Sequence, residues 1–171
     1  MYYHFNVEYG DKSANRIAEL NHNAGLIMRY PFLLPRNRWT DMVDDDYDFT
    51  FTEIDALADG WMIAFGNEML EELSEILKEA DYEDSYRILD IKEKFGGLRW
   101  YTNGIPKTIS DKYDAWERKY VELSFETCLA CGKPATMETF GWINFICDDC
   151  FKKWRVKGAP IEKTDNQHSL L

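Results

Sequence analysis

The chain has 171 residues, a length that suits one domain or one domain with a small appendage. Hydrophobic residues make up 45% and aromatics 15%, including 6 Trp, 10 Tyr and 10 Phe, which excludes a disordered protein despite a net charge of −11. No apolar run approaches the ~20 residues of a membrane helix. The opening "MYYHFNVEYGDK" lacks the basic and apolar regions of a secretory signal, so a cytoplasmic location with no membrane partner is expected. The acidity is uneven: residues 41–95 carry 4 Lys/Arg against 18 Asp/Glu, a net of −14, whereas residues 1–40 carry 5 against 3. Such a field repels phosphate backbones and favours solubility or a basic protein partner.

In chain order, "YYHFNVEY" alternates loosely and reads as a first strand. "SANRIAELNHN" places Ser13 at an N-cap ahead of Ile17 and Leu20, predicting a short helix. In "YPFLLPRNRWTD", Pro31 and Pro35 exclude regular helix, and an irregular segment pinned by Phe32, Leu33 and Trp39 is expected. "DMVDDDYDFTFTEID" alternates Tyr47, Phe49 and Phe51 with Asp48, Thr50 and Thr52, the period of a half-buried strand. A strong helix is predicted over 59–80. Its stripe is Trp61, Phe65, Met69, Leu73 and Ile76 or Leu77, with Glu68, Glu71, Glu72, Glu75 and Glu79 on the other faces. "EDSYRILDIKEKF" and "LRWYTN" read as the paired strands of a hairpin over 86–102. A second helix over 110–127, with Ser110 as N-cap, carries Ile109, Tyr113, Trp116, Tyr120 and Leu123 on its apolar face and runs directly into Cys128. The polar residues from Thr164 onward read as a loose tail.

All four cysteines fall into two pairs, Cys128-Leu-Ala-Cys131 and Cys147-Asp-Asp-Cys150, with 15 residues between the pairs. This is the spacing of a four-thiolate zinc site, in which each two-residue spacer lets both sulfurs of a pair face one ion. Gly132 supplies the positive-φ residue that such a knuckle needs. "ATMETFGWINFI" between the pairs reads as a short hairpin, so the expected unit is a zinc ribbon holding one structural Zn2+. Structural disulfides are disfavoured in an intracellular chain, and no thioredoxin-like pattern surrounds either pair. An HNH-type nuclease would need histidines near the knuckles, and residues 132–146 contain none.

"IKEKFGGLRWYTN" raises a separate question. Its glycines lack the spacing of any phosphate-binding loop and read as the turn of the hairpin. Lys92, Lys94 and Arg99 are expected to pair with Glu93, Asp90 or the acidic helix. Together, "YPFLLPRNRWT", "DYDFTFTEIDALADGW", "FGNEML", "IKEKFGGLRWYTNG" and "CLACGKPAT…GWINFICDDC" resemble a family of small proteins common in bacteriophage and bacterial genomes. The resemblance runs from about Tyr30 to Cys150. It implies a phage or prophage setting and a C-terminal zinc site on the four cysteines, and it supplies no catalytic residues.

Other constellations are weaker. Asp90-Ile91-Lys92 has the local form of a nuclease D-x-K, a pattern that an acidic chain also produces by chance. No G-x-S-x-G occurs, and "DDDYD" lacks the Gly and final Glu of a calcium loop. Arg36 and Arg38 beside Trp39 suit a cation–π or phosphate contact, or a structural pairing with the Asp-rich segment that follows. In "FKKWRVK", Lys152, Lys153 and Arg155 surround Trp154 just after the last cysteine, the best nucleic-acid candidate in the chain.

The expected fold is α+β: a small antiparallel sheet with two principal helices and a C-terminal zinc ribbon. An α+β domain over 1–108 would be followed by a connecting helix and ribbon over 109–171. Helix 59–80 is expected to pack on the hairpin, and helix 110–127 to share its core with the ribbon. The expected function is that of a phage-associated, non-enzymatic factor whose acidic surface engages a host or phage protein, with countering a host system as an inference from the phage setting alone. The alternatives are a nucleic-acid-binding or metal-dependent processing enzyme with the ribbon as clamp, and a structural phage component. No catalytic residue is assigned; the contact candidates are Arg36, Arg38, Trp39, Arg99, Lys152, Lys153, Trp154 and Arg155.

Overall fold

The computed structural model describes residues 12–155 apart from Phe140 and Trp142. The strand expected near the N-terminus and the tail from Thr164 lie outside the described residues. The chain divides into two compact units that meet at Glu53/Ile54, whereas the boundary suggested by the sequence is 108/109.

In the first unit, α1 (Lys12–Arg29) is an 18-residue helix, longer than the sequence suggests, and Ser13 lies inside it rather than capping it. A 3-10 turn follows at Pro31–Leu33, where proline occupies the first position and costs no hydrogen bond. Phe32 and Leu33 are buried, but Trp39 is 95% exposed, so it does not pin this segment. The strand expected around Tyr47–Thr52 does not form. The Asp48 carboxylate accepts the Thr50 amide (3.2 Å) and hydroxyl (2.6 Å), and Phe49 takes a positive φ of 61°. These local bonds compete with an extended ladder and curl the segment into an aromatic cluster of Tyr47 with Phe49 and Phe51.

The second unit opens with α2 (Asp59–Trp61), a π-helical turn (Met62–Gly66) and α3 (Asn67–Glu79). The predicted stripe is the buried one: Trp61, Phe65, Met69, Leu73 and Leu77. Strands β1 (Ile88–Lys94) and β2 (Gly97–Thr102) pair antiparallel, with an irregularity between Ile88 and Asp90. Helix α4 (Ser110–Glu126) buries Tyr113, Trp116 and Tyr120. Ser110 is its first residue rather than its cap, and its hydroxyl donates to the Lys107 carbonyl at 3.1 Å.

Helix α4 organises this unit. It packs on both β2 and α3, whereas α3 makes no comparable contact with either strand, which corrects the expectation that helix 59–80 packs on the hairpin. The reason is the indole chemistry of the shared core. Trp116 donates its N–H to the Met69 carbonyl on α3 (2.9 Å) and stands edge-on to Trp100 of β2, with ring centroids 5.4 Å apart at 87°. Lys119 of α4 adds ion pairs to Glu68 (2.8 Å) and Glu72 (2.7 Å). The remaining elements are β3 (Met137–Glu138), β4 (Phe145–Ile146) and α5 (Asp148–Arg155).

Candidate metal centre

The first cysteine pair leaves α4 directly. A bridge between Thr127 and Pro134 and the bond from the Cys128 amide to the Lys133 carbonyl (2.7 Å) close a tight loop. Inside it, the Cys131 and Gly132 amides both donate to the Cys128 carbonyl, at 3.3 and 3.0 Å, and Gly132 takes the positive φ its position demands (+76°). The second pair sits at the start of α5, on the far side of the β3–β4 hairpin. All four Sγ atoms lie within 4.8 Å of one another, and those of Cys131 and Cys147 are 3.6 Å apart. Tetrahedral sulfurs at metal–sulfur distances of about 2.3 Å stand roughly 3.8 Å apart, so the donor set fits one thiolate-bound ion. Among the described residues, these cysteines form the one group of three or more side chains placed to hold a metal.

The thiols do not ionise alike. Burial opposes ionisation at Cys147, but the Cys150 backbone amide and the neighbouring thiols outweigh it and bring the group down to about 7. Burial pushes Cys131 and Cys150 upward, so the protein by itself favours charge on Cys147 and resists it on those two. A bound cation reverses that resistance, which is how a four-thiolate cluster becomes stable. Cys128, Ile146, Cys147 and Phe151 form a small core of their own, with Leu129, Met137 and Trp154 packed against it.

Glycines fasten this ribbon to the rest of its unit. The Gly60 amide, at the start of α2, donates to the Leu129 carbonyl (2.9 Å). A Cβ on Gly60 would stand 2.0 Å from the Cys128 carbonyl oxygen, and one on Gly132 would stand 2.8 Å from the Gly60 oxygen. Backbone therefore meets backbone where the knuckle touches the helix. In the hairpin turn Gly96 plays the same part toward the ribbon, and Gly97 plays it toward α4. A Cβ on Gly96 would collide with the Phe145 ring at 2.5 Å, and one on Gly97 with Phe125 at 2.4 Å. The turn predicted from "FGG" is thus also the seat on which the ribbon rests. Nothing in the sequence around Gly60 announces its contact with a knuckle some 70 residues away.

The other candidate residues separate. Lys92 pairs with Asp90, its neighbour on the same strand, and no second ligand group gathers at Asp90 among the described residues. Arg99 is half-buried; it donates to the Leu98 carbonyl (2.7 Å) and acts on Glu117 of α4, rather than on the acidic helix. The Arg36 guanidinium donates to the Asp41 backbone carbonyl (2.8 Å), not to an aspartate side chain. Arg38 and Trp39 are exposed. Their loop is closed by bonds from the Asn37 amide to the Met42 carbonyl and from the Asp41 amide to the Asn37 carbonyl, each 2.9 Å. The Asn37 side chain accepts the Trp39 amide (2.9 Å) and the Thr40 amide (3.2 Å). Lys152 and Lys153 are exposed on α5, whereas Trp154 is partly buried and packs against the ribbon core. The Arg155 side chain lies outside the described residues. Among the described residues, no helix is long and apolar enough to cross a membrane. Comparison with protein-family models, curated proteins and solved structures finds no match.

Proposed function

We propose that this chain is a non-enzymatic, zinc-containing factor that works by binding another protein. The observation that carries the reading is Trp39, held 95% exposed at the tip of a loop whose backbone is closed by its own hydrogen bonds. Tryptophan and arginine dominate the centres of protein interfaces, and a loop already ordered loses little entropy on docking. Arg38 and Met42 (66%) are also exposed in this loop. A four-thiolate donor set of this spacing favours zinc. With four protein ligands the ion has no open position for substrate and serves the fold instead. The phage or prophage setting implied by the family resemblance would make the partner a host or phage protein. The exposed Lys152 and Lys153 support a second reading, contact with nucleic acid.

A tagged pull-down from lysate, with and without nuclease, tests both readings when wild type and Trp39→Ala are compared. The expected result is one dominant protein that survives nuclease, weakens with salt and is lost from the variant, since an exposed side chain can be removed without unfolding the chain. Recovery that vanishes with nuclease would replace protein binding by nucleic-acid binding. Metal analysis of the same preparation should find about one zinc per chain; iron in its place, with the colour of an iron–thiolate centre, would change the metal assignment.

A further inference from the structure

The turn between β1 and β2 contains an unusual residue. Its loop is Phe95-Gly96, set between the paired Lys94 and Gly97, and both loop residues have positive φ, +56° and +79°. This is a type I′ turn, whose first central position ordinarily holds Asn, Asp or Gly because a Cβ is crowded there. A bulky residue in that conformation is strained. Burial would offset the strain, but the Phe95 ring is 67% exposed. A strained apolar ring kept in water points to a contact made outside the chain.

The ring is also presented from a clamped backbone. The Gly96 amide donates to Glu93 Oε1 (2.5 Å), and Phe145 and Ile143 of the ribbon close over Gly96. The surroundings add a charge. The Lys94 ammonium lies 5.4 Å from the Phe95 ring centroid, and the Lys92 ammonium lies 4.9 Å from that of the exposed Tyr101. The hairpin's carboxylates are engaged, Asp90 by Lys92 and Glu93 by the Gly96 amide. Of these charges, the Lys94 ammonium is the one set against the exposed Phe95 ring.

We propose that the Phe95 tip is a docking knob for a partner protein that presents an apolar pocket with a carboxylate at its rim. The inference rests on the protein-binding reading and adds the place where the partner meets the second unit. To test it, benzoylphenylalanine is placed at position 95 of the full, metal-loaded chain and irradiated in lysate, beside affinity capture by wild type, Phe95→Gly, Lys94→Glu and Trp39→Ala. The crosslink should reach the same protein that wild type captures, at a segment pairing apolar residues with Asp or Glu. Phe95→Gly should weaken capture tenfold or more. It should also melt about 2–4 °C higher, because glycine is relaxed in this turn, and the higher melting point removes misfolding as an explanation. Lys94→Glu should weaken capture as well. If Phe95→Gly captures like wild type while Trp39→Ala does not, the knob is wrong and the protein-binding reading stands. A crosslink to nucleic acid or to a second copy of the chain overturns the partner assignment, and no capture by wild type overturns both readings.

Discussion

At Ser124, in the last turn of α4, the hydroxyl accepts the Leu98 amide of β2 (2.9 Å) and donates to the Val121 carbonyl (2.6 Å). Its own carbonyl accepts the Trp61 indole N–H at 3.2 Å. One serine thus joins the hairpin, α2 and α4, and it is fully buried. A polar residue on the apolar side of a helix usually costs stability, and here that cost is offset because, among the described residues, β2 pairs with β1 alone and Ser124 takes the Leu98 amide. Ser124→Ala leaves that amide buried without its acceptor and should destabilise the chain by about 1–3 kcal/mol. Cysteine-bound metal should be unchanged in the variant. Thermal unfolding of the two proteins at equal metal content checks this, and equal melting temperatures would mean that the bond contributes nothing net.

Among the elements, those carried by local chemistry or periodicity were legible in the sequence. The stripe from Trp61 to Leu77 repeats at helical spacing and is buried as predicted, and the two CxxC pairs carry their geometry in their spacing. The failures have physical causes. The alternation of Tyr47, Phe49 and Phe51 has a strand's period, but Asp48 captures the local amide and hydroxyl of Thr50 first. Trp39 read as an anchor because aromatic residues are usually buried, and no local pattern shows that a loop will hold one in water. The seating of the ribbon on Gly96 joins residues almost 50 positions apart, beyond the reach of any local pattern. That seating has a consequence for metal removal. Phe145 and Ile143 hold the hairpin turn only while β3 and β4 are themselves in place, and a four-thiolate ion supplies most of the stability of so small a hairpin. Chelation should therefore speed amide hydrogen exchange across 137–146 and also at Gly97 and Leu98, while the interior amides of α3 stay protected. Exchange that rises in the ribbon alone would show that the turn does not depend on it.

For the folded chain as a whole, the buried tyrosines set an upper limit in pH. Tyr86 is fully buried and Tyr113 nearly so, with their hydroxyls 3.3 Å apart. Trp100 donates its indole N–H to the Tyr86 hydroxyl at 2.7 Å. Burial pushes Tyr86 up to about 12, against the relief its hydrogen bonds give. Burial, with the neighbouring Tyr86, pushes Tyr113 higher still. In the unfolded chain both ionise near pH 10, as tyrosine ordinarily does. Between about pH 10 and 12 the unfolded chain therefore releases protons that the folded chain keeps. Stability is fully present below that window and falls as pH rises through it. A second process acts in the same direction, since a chain with a net charge of −11 at neutral pH gains further negative charge as lysines and exposed tyrosines titrate. The two are separable. Melting temperature followed from pH 8 to 12 should hold steady and then fall, and Tyr113→Phe should shallow the fall because one of the buried ionisations, which also include that of Tyr120, is gone. Near-ultraviolet circular dichroism of the Trp100–Trp116 pair should disappear together with the last increment of tyrosinate absorbance, since those phenols ionise only when the core opens. A Tyr113→Phe profile superimposable on the wild type would remove Tyr113 from the alkaline limit.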